Sequence, residues 1–229
     1  MQGTHPYDLI IFDCDGVLVD SELLSGQVVI DCLRQQGIKV DLDTVFDKLL
    51  GQSPVAIAEY CAQSGRALPD DFYAQLQTSL RATFTAALKP IPGAARVLKY
   101  LRVPYCVASS SNLVRIEHSL RVCGLSNFAD SRVFSAEMVR RGKPAPDLFL
   151  HAAAGMSAAP GDTLVIEDSV NGVRAGKAAG MTVWGFVGGS HYAGRDGQAL
   201  LTAAGADRVF DRMDDFDLRE ARLLDHAAR

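Results

Sequence analysis

The chain has 229 residues, of which 48% are hydrophobic and 22% are charged, and its formal net charge is −4. This composition excludes an intrinsically disordered chain, and the small negative charge argues against a general nucleic-acid binder. The sequence contains neither an apolar run of the ~18 residues that a membrane span requires nor the basic, apolar leader of a secretory signal peptide.

The first 88 residues show one strand pattern followed by helical patterns. Tyr7–Phe12 is almost wholly apolar, which predicts a central strand of a parallel sheet that is covered on both faces. Helical periodicity predicts helices over the segments 21–36, 42–50, 54–64 and 70–88. The last segment carries an apolar side chain at every fourth position from Phe72 to Leu88. We expect residues 20–88 to form a small all-helical domain.

Strands alternate with helices after the segment KPIPG at 89–93. Strands are predicted at 105–109, around 133–134, and at 163–168, 182–187 and 207–210, and helices at 93–102, 113–123, 147–155, 170–179, 196–204 and the C-terminus. Such alternation is typical of a doubly wound parallel α/β sheet. The predicted fold is an α/β core of residues 1–19 and 89–229 with an all-α insertion of residues 20–88.

Polar side chains follow three of the predicted strands at the points where these strands end. Asp13 and Asp15 follow the first strand, serines beginning at Ser109 follow YCVA, and Glu167 and Asp168 follow TLVI. Lys143 lies in a loop between two other elements. Because the carboxyl ends of parallel strands share one edge of a sheet, we expect these groups to line one crevice.

The chemistry of this crevice follows from its charges. Four carboxylates in a small space repel each other, and a divalent cation relieves that repulsion. Oxygen ligands suit Mg²⁺, which usually binds a substrate phosphate as well. The serines precede a helix N-terminus, which is an anion site, and Lys143 adds a positive charge. The set indicates phosphoryl chemistry, in which one leading aspartate attacks phosphorus, the other transfers protons, and Gly16 permits the turn between them.

Four motifs in chain order resemble those of the haloacid dehalogenase (HAD) superfamily of phosphatases. They are DCDGVLVD at 13–20, VASSS at 107–111, RGKPAPD at 141–147 and VIEDSVNG at 165–172. The resemblance covers essentially the whole chain. The helical insertion between the first two motifs resembles the cap of the subgroup that contains phosphoglycolate phosphatase and β-phosphoglucomutase, so residues 20–88 are expected to be a cap domain.

The resemblance implies roles for individual residues. Asp13 would be the nucleophile and Asp15 the general acid and base. Mg²⁺ would be bound by the Asp13 carboxylate, the Asp15 backbone carbonyl and Asp168, with Glu167 assisting. The phosphoryl group would be bound by Ser109, Ser110, Asn112 and Lys143. The presence of Asp15 argues against the dehalogenase branch of the superfamily, which needs no acid there and no metal.

Two positions favour hydrolysis over the mutase reaction of the same subgroup. Ser25 stands where β-phosphoglucomutase has a cap-hinge histidine, and Pro54 stands where it has a phosphate-binding arginine. We therefore predict a Mg²⁺-dependent hydrolase of sugar phosphates or short acid phosphates that works through an aspartyl-phosphate. A phosphosugar mutase and a non-catalytic phosphometabolite-binding protein are the alternatives. Gln52 and Ser53, in the turn LLGQS, are candidate specificity residues.

Other features receive structural interpretations. Asp20 is expected to begin the hinge of the cap. His191 is expected to be a solvated loop residue, and contact with the substrate is the alternative. An EF-hand at DCDG is excluded, because Val17 and Leu24 occupy positions that require oxygen ligands.

The cysteine pattern and the charge also lead to expectations about location and partners. The five cysteines are scattered and never spaced C-x-x-C, which argues against a disulfide framework or a zinc site and favours the cytoplasm. The expected partner is a small phosphorylated substrate, with no nucleic acid and no membrane. A monomer is expected, and a weak homodimer is left open.

Overall fold

The computed structural model describes residues 7–49, 54–63, 65–129 and 132–216. The chain forms two compact units, one that contains the residues up to Asp20 and from Lys89 onward, and one that spans Ser21–Leu88. Within the described residues, no helix combines the length and the apolar character that a membrane crossing requires.

The unit Ser21–Leu88 is helical. It contains α1 (Glu22–Gln35), α2 (Leu42–Lys48), α3 (Pro54–Gln63) and α4 (Phe72–Ala87). The predicted apolar stripe of α4 is buried from Phe72 to Phe84, and α1 packs against both α4 and α2. Asp41 begins α2 by accepting a hydrogen bond from the Thr44 N–H at 2.8 Å, so an N-cap fixes the start of this helix.

The other unit is built on a six-stranded parallel sheet. Its strands are β1 (Leu9–Phe12), β2 (Tyr105–Ser109), β3 (Val133–Ser135), β4 (Thr163–Glu167), β5 (Thr182–Phe186) and β6 (Arg208–Phe210). Their order is β3-β2-β1-β4-β5-β6, and every pairing is parallel. Phe12, the last residue of β1, lies opposite Val107 of β2 and Ile166 of β4. The polar residues that follow these strands therefore emerge at one edge, at the point where the strand order reverses.

The helices of this unit are α5 (Ala94–Tyr100), α6 (Leu113–Val122), α7 (Ser126–Ala129), α8 (Asp147–Gly155), α9 (Val170–Ala178) and α10 (Gly197–Ala204). On one face of the sheet, α8, α9 and α10 bury the apolar side chains that include Ile11, Val165 and Phe149. Aromatic rings gather elsewhere in the core, where Phe216 lies 6.2 Å from Phe12 and 5.5 Å from Trp184 between ring centroids. Apolar contact on this scale holds β1 rigidly in the centre of the sheet.

The doubly wound parallel sheet with an inserted all-α unit confirms the predicted fold class. Short elements were not predicted, among them α7 and the 3₁₀ turns at Ala136–Met138 and Ser190–Tyr192. These segments are too short to produce a periodic apolar pattern. The predicted C-terminal helix lies outside the described residues.

Candidate active site

Strand β1 leads directly into the two leading aspartates. The Asp13 N–H donates to the Ile166 carbonyl at 2.9 Å, which extends the pairing of β1 with β4 by one residue. The chain then turns at Gly16, whose φ is +75°. A Cβ atom at this position would lie 1.8 Å from Asp168 Oδ2, so only glycine fits the turn. Asp13 and Asp15 are thereby fixed, nearly buried, at the carboxyl edge.

Lys143 joins two of the acidic residues. Its Nζ donates to Asp13 Oδ1 at 2.8 Å, to Glu167 Oε1 at 2.6 Å and to the Ala108 carbonyl at 3.1 Å. Its side chain is only 4% exposed. Burial disfavours the charged ammonium, but Asp13 and Glu167 outweigh burial and raise the pKa of Lys143 above its ordinary value. The loop RGKPAPD thus supplies a permanent positive charge between two carboxylates.

Glu167 is fully buried and is bonded on both of its carboxylate oxygens. Oε1 accepts from Lys143, and Oε2 accepts from the Ser169 N–H at 2.8 Å and the Ser169 hydroxyl at 3.0 Å. The Ser169 hydroxyl also caps α9 by accepting from the Gly172 N–H at 2.9 Å. A Cβ at Gly172 would lie 1.8 Å from Glu167 Oε1, so the glycine makes room for the carboxylate. Glu167 is positioned to fix Lys143.

Asp15 is bound by the last residue of β2 and by residues that follow this strand. Its Oδ2 accepts from the hydroxyl of Ser111 at 2.7 Å and from that of Ser109 at 3.3 Å. Its Oδ1 accepts from Arg115 Nη2 at 3.2 Å. The side chain of Asn112 caps α6 by accepting from the Arg115 N–H at 2.8 Å, so the first turn of α6 has a fixed position beside Asp15.

The acidic residues can hold a cation. One carboxylate oxygen from each of Asp13, Glu167 and Asp168 lies within 4.8 Å of the other two. The pKa of Asp13 is raised from 3.8 to about 7. Burial is the main cause, Lys143 opposes it, and the charges of Glu167 and Asp15 add to it. A donor set made only of oxygen atoms, with a negative charge that is costly to bury, fits a hard divalent cation such as Mg²⁺.

The loop after β5 contacts the same cluster. His191 Nε2 lies 3.3 Å from Asp168 Oδ2, and the Tyr192 hydroxyl donates to the Asp168 carbonyl. Asp20 Oδ1 accepts from the Ser190 N–H at 2.9 Å and from the Ser190 hydroxyl at 2.8 Å, which holds this loop in place. The prediction that His191 is a solvated loop residue is wrong, because these contacts turn the loop inward and leave His191 only 8% exposed. Burial lowers the pKa of His191 to about 4, so its imidazole is neutral at pH 7.

The structure places the predicted residues as follows. Asp13, Asp15, Ser109, Lys143, Glu167 and Asp168 converge at one edge of the sheet, and Asn112 caps the helix beside them. Ser110 is exposed, and the neighbouring Ser111 is the serine that bonds to Asp15 at 2.7 Å. Gln52 and Ser53 lie outside the described residues.

Sequence reasoning missed Arg115 as a residue of the site. The signal that identifies it is the N-cap at Asn112, because a cap fixes the helix start and places Arg115 in the first turn. His191 offered no comparable signal, since its position depends on the folding of a loop.

A doubly wound sheet that carries an acidic cluster, a buried lysine and a hydroxyl-lined helix start at its switch point defines the class of α/β phosphatases. Comparisons with known proteins agree with this class. The model of the haloacid dehalogenase-like hydrolase family matches residues 7–180. The chain therefore belongs to the haloacid dehalogenase-like hydrolases, which confirms the family predicted from the four motifs.

Individual relatives are phosphatases or hydrolases of this family. The chain is 28% identical to the 6-phosphogluconate phosphatase of Escherichia coli K12, over 80% of this chain and 84% of that protein. It is 29% identical to hexitol phosphatase A of the same organism, over 76% of this chain and 80% of that protein. A crystal structure of a HAD family hydrolase from Deinococcus radiodurans R1, with bound phosphate and sodium, is 38% identical with a TM-score of 0.77. That match covers 96% of this chain and 99% of the other. The predicted enzyme class, a HAD-type phosphatase, is confirmed.

Proposed function

We propose that the chain is a Mg²⁺-dependent phosphomonoester hydrolase that acts on a small phosphorylated metabolite through an aspartyl-phosphate on Asp13. The observation that carries the proposal is the position of Lys143, whose ammonium contacts Asp13 and Glu167 at 2.8 and 2.6 Å. A carboxylate paired with a buried cation, with a second carboxylate two residues away, provides both a nucleophile and a proton donor for phosphoryl transfer.

The cation would be held by the Asp13 carboxylate, the Asp15 backbone carbonyl and Asp168, with Glu167 assisting. The oxygen-only donor set and the raised pKa of Asp13 support this assignment. When bound, Mg²⁺ supplies neutralisation of the charge on the phosphoryl oxygens. Glu167 assists indirectly, since both of its oxygens are bonded to Lys143 and Ser169.

The protein residues divide the reaction into two steps. Asp13 attacks phosphorus and forms the aspartyl-phosphate, while the bond from phosphorus to the ester oxygen breaks and Asp15 donates a proton to that oxygen. Water then attacks the phosphorus, Asp15 accepts its proton, and the bond between Asp13 and phosphorus breaks to release inorganic phosphate. Lys143 remains charged throughout and stabilises the phosphoryl group.

Phosphoryl binding is proposed for the start of α6. The Ser109 hydroxyl lies beside Asp15, 3.3 Å from its Oδ2, and the N-cap Asn112 begins α6 three residues later. Ser110 is exposed immediately before this turn, where a phosphoryl oxygen can reach it. Helix N-termini bind anions because their N–H groups and dipole point toward the ligand.

The substrate is proposed to be a sugar phosphate or a short acid phosphate. The relatives named for 6-phosphogluconate and for hexitol phosphates support this size class. The unit Ser21–Leu88, with Gln52 and Ser53, is proposed to act as the cap that selects the leaving group. A cytoplasmic monomer is proposed, and a weak homodimer is left open.

A phosphatase panel tests the proposal. Purified protein is incubated with Mg²⁺ or with EDTA and with a broad set of phosphometabolites and p-nitrophenyl phosphate, and inorganic phosphate is measured. We expect Mg²⁺-dependent release, which Asp13→Asn abolishes without loss of the fold by circular dichroism. Failure of the entire panel would contradict the proposal, and retained activity in Asp13→Asn would remove Asp13 from the nucleophile role.

The same protein preparation separates hydrolysis from the mutase alternative. Ser25 and Pro54 stand where a mutase of this subgroup has a histidine and an arginine. We therefore expect no isomerisation of glucose 1-phosphate when a bisphosphate is added as the primer. Formation of glucose 6-phosphate faster than release of phosphate would favour the mutase. Tight binding of phosphometabolites without turnover would instead favour the non-catalytic alternative.

A further inference from the structure

The carboxylate of Asp15 is bonded on both of its oxygens by the segment that runs from the end of β2 into α6. Oδ2 accepts from the hydroxyls of Ser111 at 2.7 Å and Ser109 at 3.3 Å. Oδ1 accepts from Arg115 Nη2 at 3.2 Å. Rotation of this carboxylate breaks at least one of these bonds, so the contacts fix its orientation.

The three donors on Asp15 are not equivalent. Ser109 makes the longest contact, and its oxygen also accepts from the Ser111 N–H at 3.1 Å. A hydroxyl has a single proton to donate, so Ser109 bonds either to Asp15 or to a phosphoryl oxygen, for which it is proposed above. Ser111 makes the shortest contact with Asp15, and Arg115 makes the charge-assisted one. Ser111 and Arg115 are therefore the two residues suited to hold Asp15 while a substrate is bound.

Ser111 and Arg115 are themselves anchored by neighbouring elements. Ser135, the fully buried last residue of β3, donates its hydroxyl proton to the Ser111 carbonyl at 2.8 Å. Arg115 lies in the first turn of α6, where its N–H is bonded to the N-cap Asn112 at 2.8 Å, and its side chain is only 20% exposed. Both donors thus occupy fixed positions before a substrate arrives.

We propose that Arg115 and Ser111 are positioning residues, which fix the orientation from which Asp15 transfers its proton to the leaving oxygen. The inference rests on the proposed function, in which this proton moves to the ester oxygen while the bond from phosphorus to that oxygen breaks. It requires no contact between either side chain and the substrate. General acid catalysis depends first on geometry, because the donor must lie within hydrogen-bond reach of the atom that it protonates.

The need for a well-oriented acid depends on the leaving group. An alkoxide is strongly basic, so an alkyl phosphate requires protonation of the ester oxygen as the bond breaks. The p-nitrophenolate anion is stable without a proton, so p-nitrophenyl phosphate needs little help from Asp15. A misplaced Asp15 should therefore slow alkyl esters much more than p-nitrophenyl phosphate, whereas damage to the fold or to phosphoryl binding should slow all esters alike.

A series of leaving groups tests the proposal. kcat/KM is measured with Mg²⁺ for the best alkyl phosphate of the panel, for phenyl phosphate and for p-nitrophenyl phosphate. In Arg115→Met we expect a loss of about a hundredfold for the alkyl ester, the cost of a small misplacement of a catalytic group, and only a few-fold loss for p-nitrophenyl phosphate. Phenyl phosphate should lie between them. Ser111→Ala should give the same order, and Arg115→Lys should recover part of the loss.

kcat/KM is the informative quantity because it covers only the steps up to release of the alcohol. The later hydrolysis of the aspartyl-phosphate is common to all esters and affects kcat alone. Arg121→Met is the matched control, since Arg121 is an exposed arginine in the last turn of the same helix. This variant should keep the kcat/KM values of the unaltered protein.

Equal slowing of all three esters by Arg115→Met would overturn the positioning role, and so would unchanged kcat/KM values. Competitive inhibition by inorganic phosphate gives a second readout, which should be unaltered in Arg115→Met. A tenfold weaker inhibition would place Arg115 on the phosphoryl group and would also overturn the inference.

The two proposals fail in different ways. Turnover of p-nitrophenyl phosphate by the unaltered protein, with no dependence of the Arg115→Met effect on the leaving group, would overturn the positioning role and leave the phosphatase proposal intact. If no alkyl phosphate is hydrolysed, the comparison of phenyl with p-nitrophenyl phosphate decides in the same way. Absence of phosphate release from every ester would contradict the phosphatase proposal itself.

Discussion

The ammonium of Lys143 and the carboxylates of Asp13 and Glu167 form a buried charge network at the edge of the sheet. The lysine contacts these carboxylates at 2.8 and 2.6 Å. Such a network contributes little net stability compared with apolar packing, but the removal of one partner leaves an uncompensated charge. Its retention in this chain therefore agrees with a chemical role for Lys143 and Asp13.

Replacing Lys143 tests this network. We expect Lys143→Met to lower the free energy of unfolding in EDTA by about 3–5 kcal/mol, because two carboxylates lose their buried cation. Urea unfolding at pH 8 measures the change. Arg141→Met is the control, since Arg141 is 67% exposed and its salt bridge to Asp147 should contribute at most about 1 kcal/mol. Equal effects of the two substitutions would contradict the assignment.

The raised pKa of Asp13 makes stability depend on pH. Its pKa is about 7 in the folded protein and 3.8 when exposed, because burial outweighs the attraction of Lys143. Between these two values the folded state retains a proton that the unfolded state has released. The stability that this proton contributes is present at low pH and is lost as the pH rises through about 7.

Asp13→Asn removes this titration. In EDTA, we expect the free energy of unfolding of the unaltered protein to fall more steeply with rising pH than that of Asp13→Asn, between about pH 4.5 and pH 8. Urea unfolding at several pH values measures both slopes. Parallel slopes would show that Asp13 does not titrate in this interval.

At the scale of single elements, the loop after β5 connects separate parts of the site. Within the residues Gly188–Tyr192, Ser190 is bonded to Asp20, and His191 and Tyr192 contact Asp168. Because the pKa of His191 is about 4, the neutral ring can donate an N–H to Asp168 Oδ2 at pH 7. This contact orients the carboxylate that is proposed to bind the metal.

His191→Ala should weaken the binding of Mg²⁺ by about tenfold to a hundredfold, which is the usual cost of losing a hydrogen bond to a metal ligand. Isothermal titration calorimetry measures the affinity without any need for turnover. His151→Ala serves as the control, because His151 is exposed on α8. Unchanged affinity in His191→Ala would exclude a role for the loop in positioning Asp168.

The sequence predicts strand ends better than it predicts loops. Asp13 and Asp168 directly follow the apolar strands β1 and β4. Because these strands are parallel neighbours, their carboxyl ends share one edge of the sheet, and the convergence of the two aspartates is predictable from pattern alone. Arg115 and His191 reach the site through side-chain directions and loop contacts between residues 23 to 100 positions apart. The N-cap at Asn112 places Arg115 in the first turn of α6, but no local periodicity encodes the contact of either side chain with the site.

At the scale of the whole molecule, the helical unit is inserted between two segments of the core unit that are hydrogen-bonded to each other. The Asp20 N–H donates to the Lys89 carbonyl at 3.0 Å, and the Ile91 N–H donates to the Leu18 carbonyl at 2.9 Å. Val19 and Pro90 form an antiparallel bridge. The core unit thus contains both ends of the insertion, all six strands and the acidic cluster. The sequence pattern predicts an insertion of residues 20–88, because the alternation of strands and helices stops after the first strand and resumes near residue 89.

The division predicts that the core folds without the insertion. Replacing Ser21–Leu88 by Asn-Gly joins the antiparallel segments that contain Val19 and Pro90. Asn-Gly is a residue pair favoured in two-residue hairpin turns. We expect cooperative thermal unfolding, since the sheet and its main hydrophobic cluster belong to the core unit. Mg²⁺ binding should also persist, because Asp13, Glu167 and Asp168 all remain. Loss of cooperative unfolding, measured by scanning calorimetry, would show that the core depends on the helical unit.

The same variant separates catalysis from substrate selection. If the helical unit is the cap that selects the leaving group, its removal should reduce the spread of kcat/KM among phosphometabolites, while p-nitrophenyl phosphate is still hydrolysed. Asp13→Asn in the shortened chain is the control for contaminating phosphatases. An unchanged order of substrate preference would place selection in the core, where Arg115 and Ser111 bind the carboxylate of Asp15. That result would assign specificity to the start of α6.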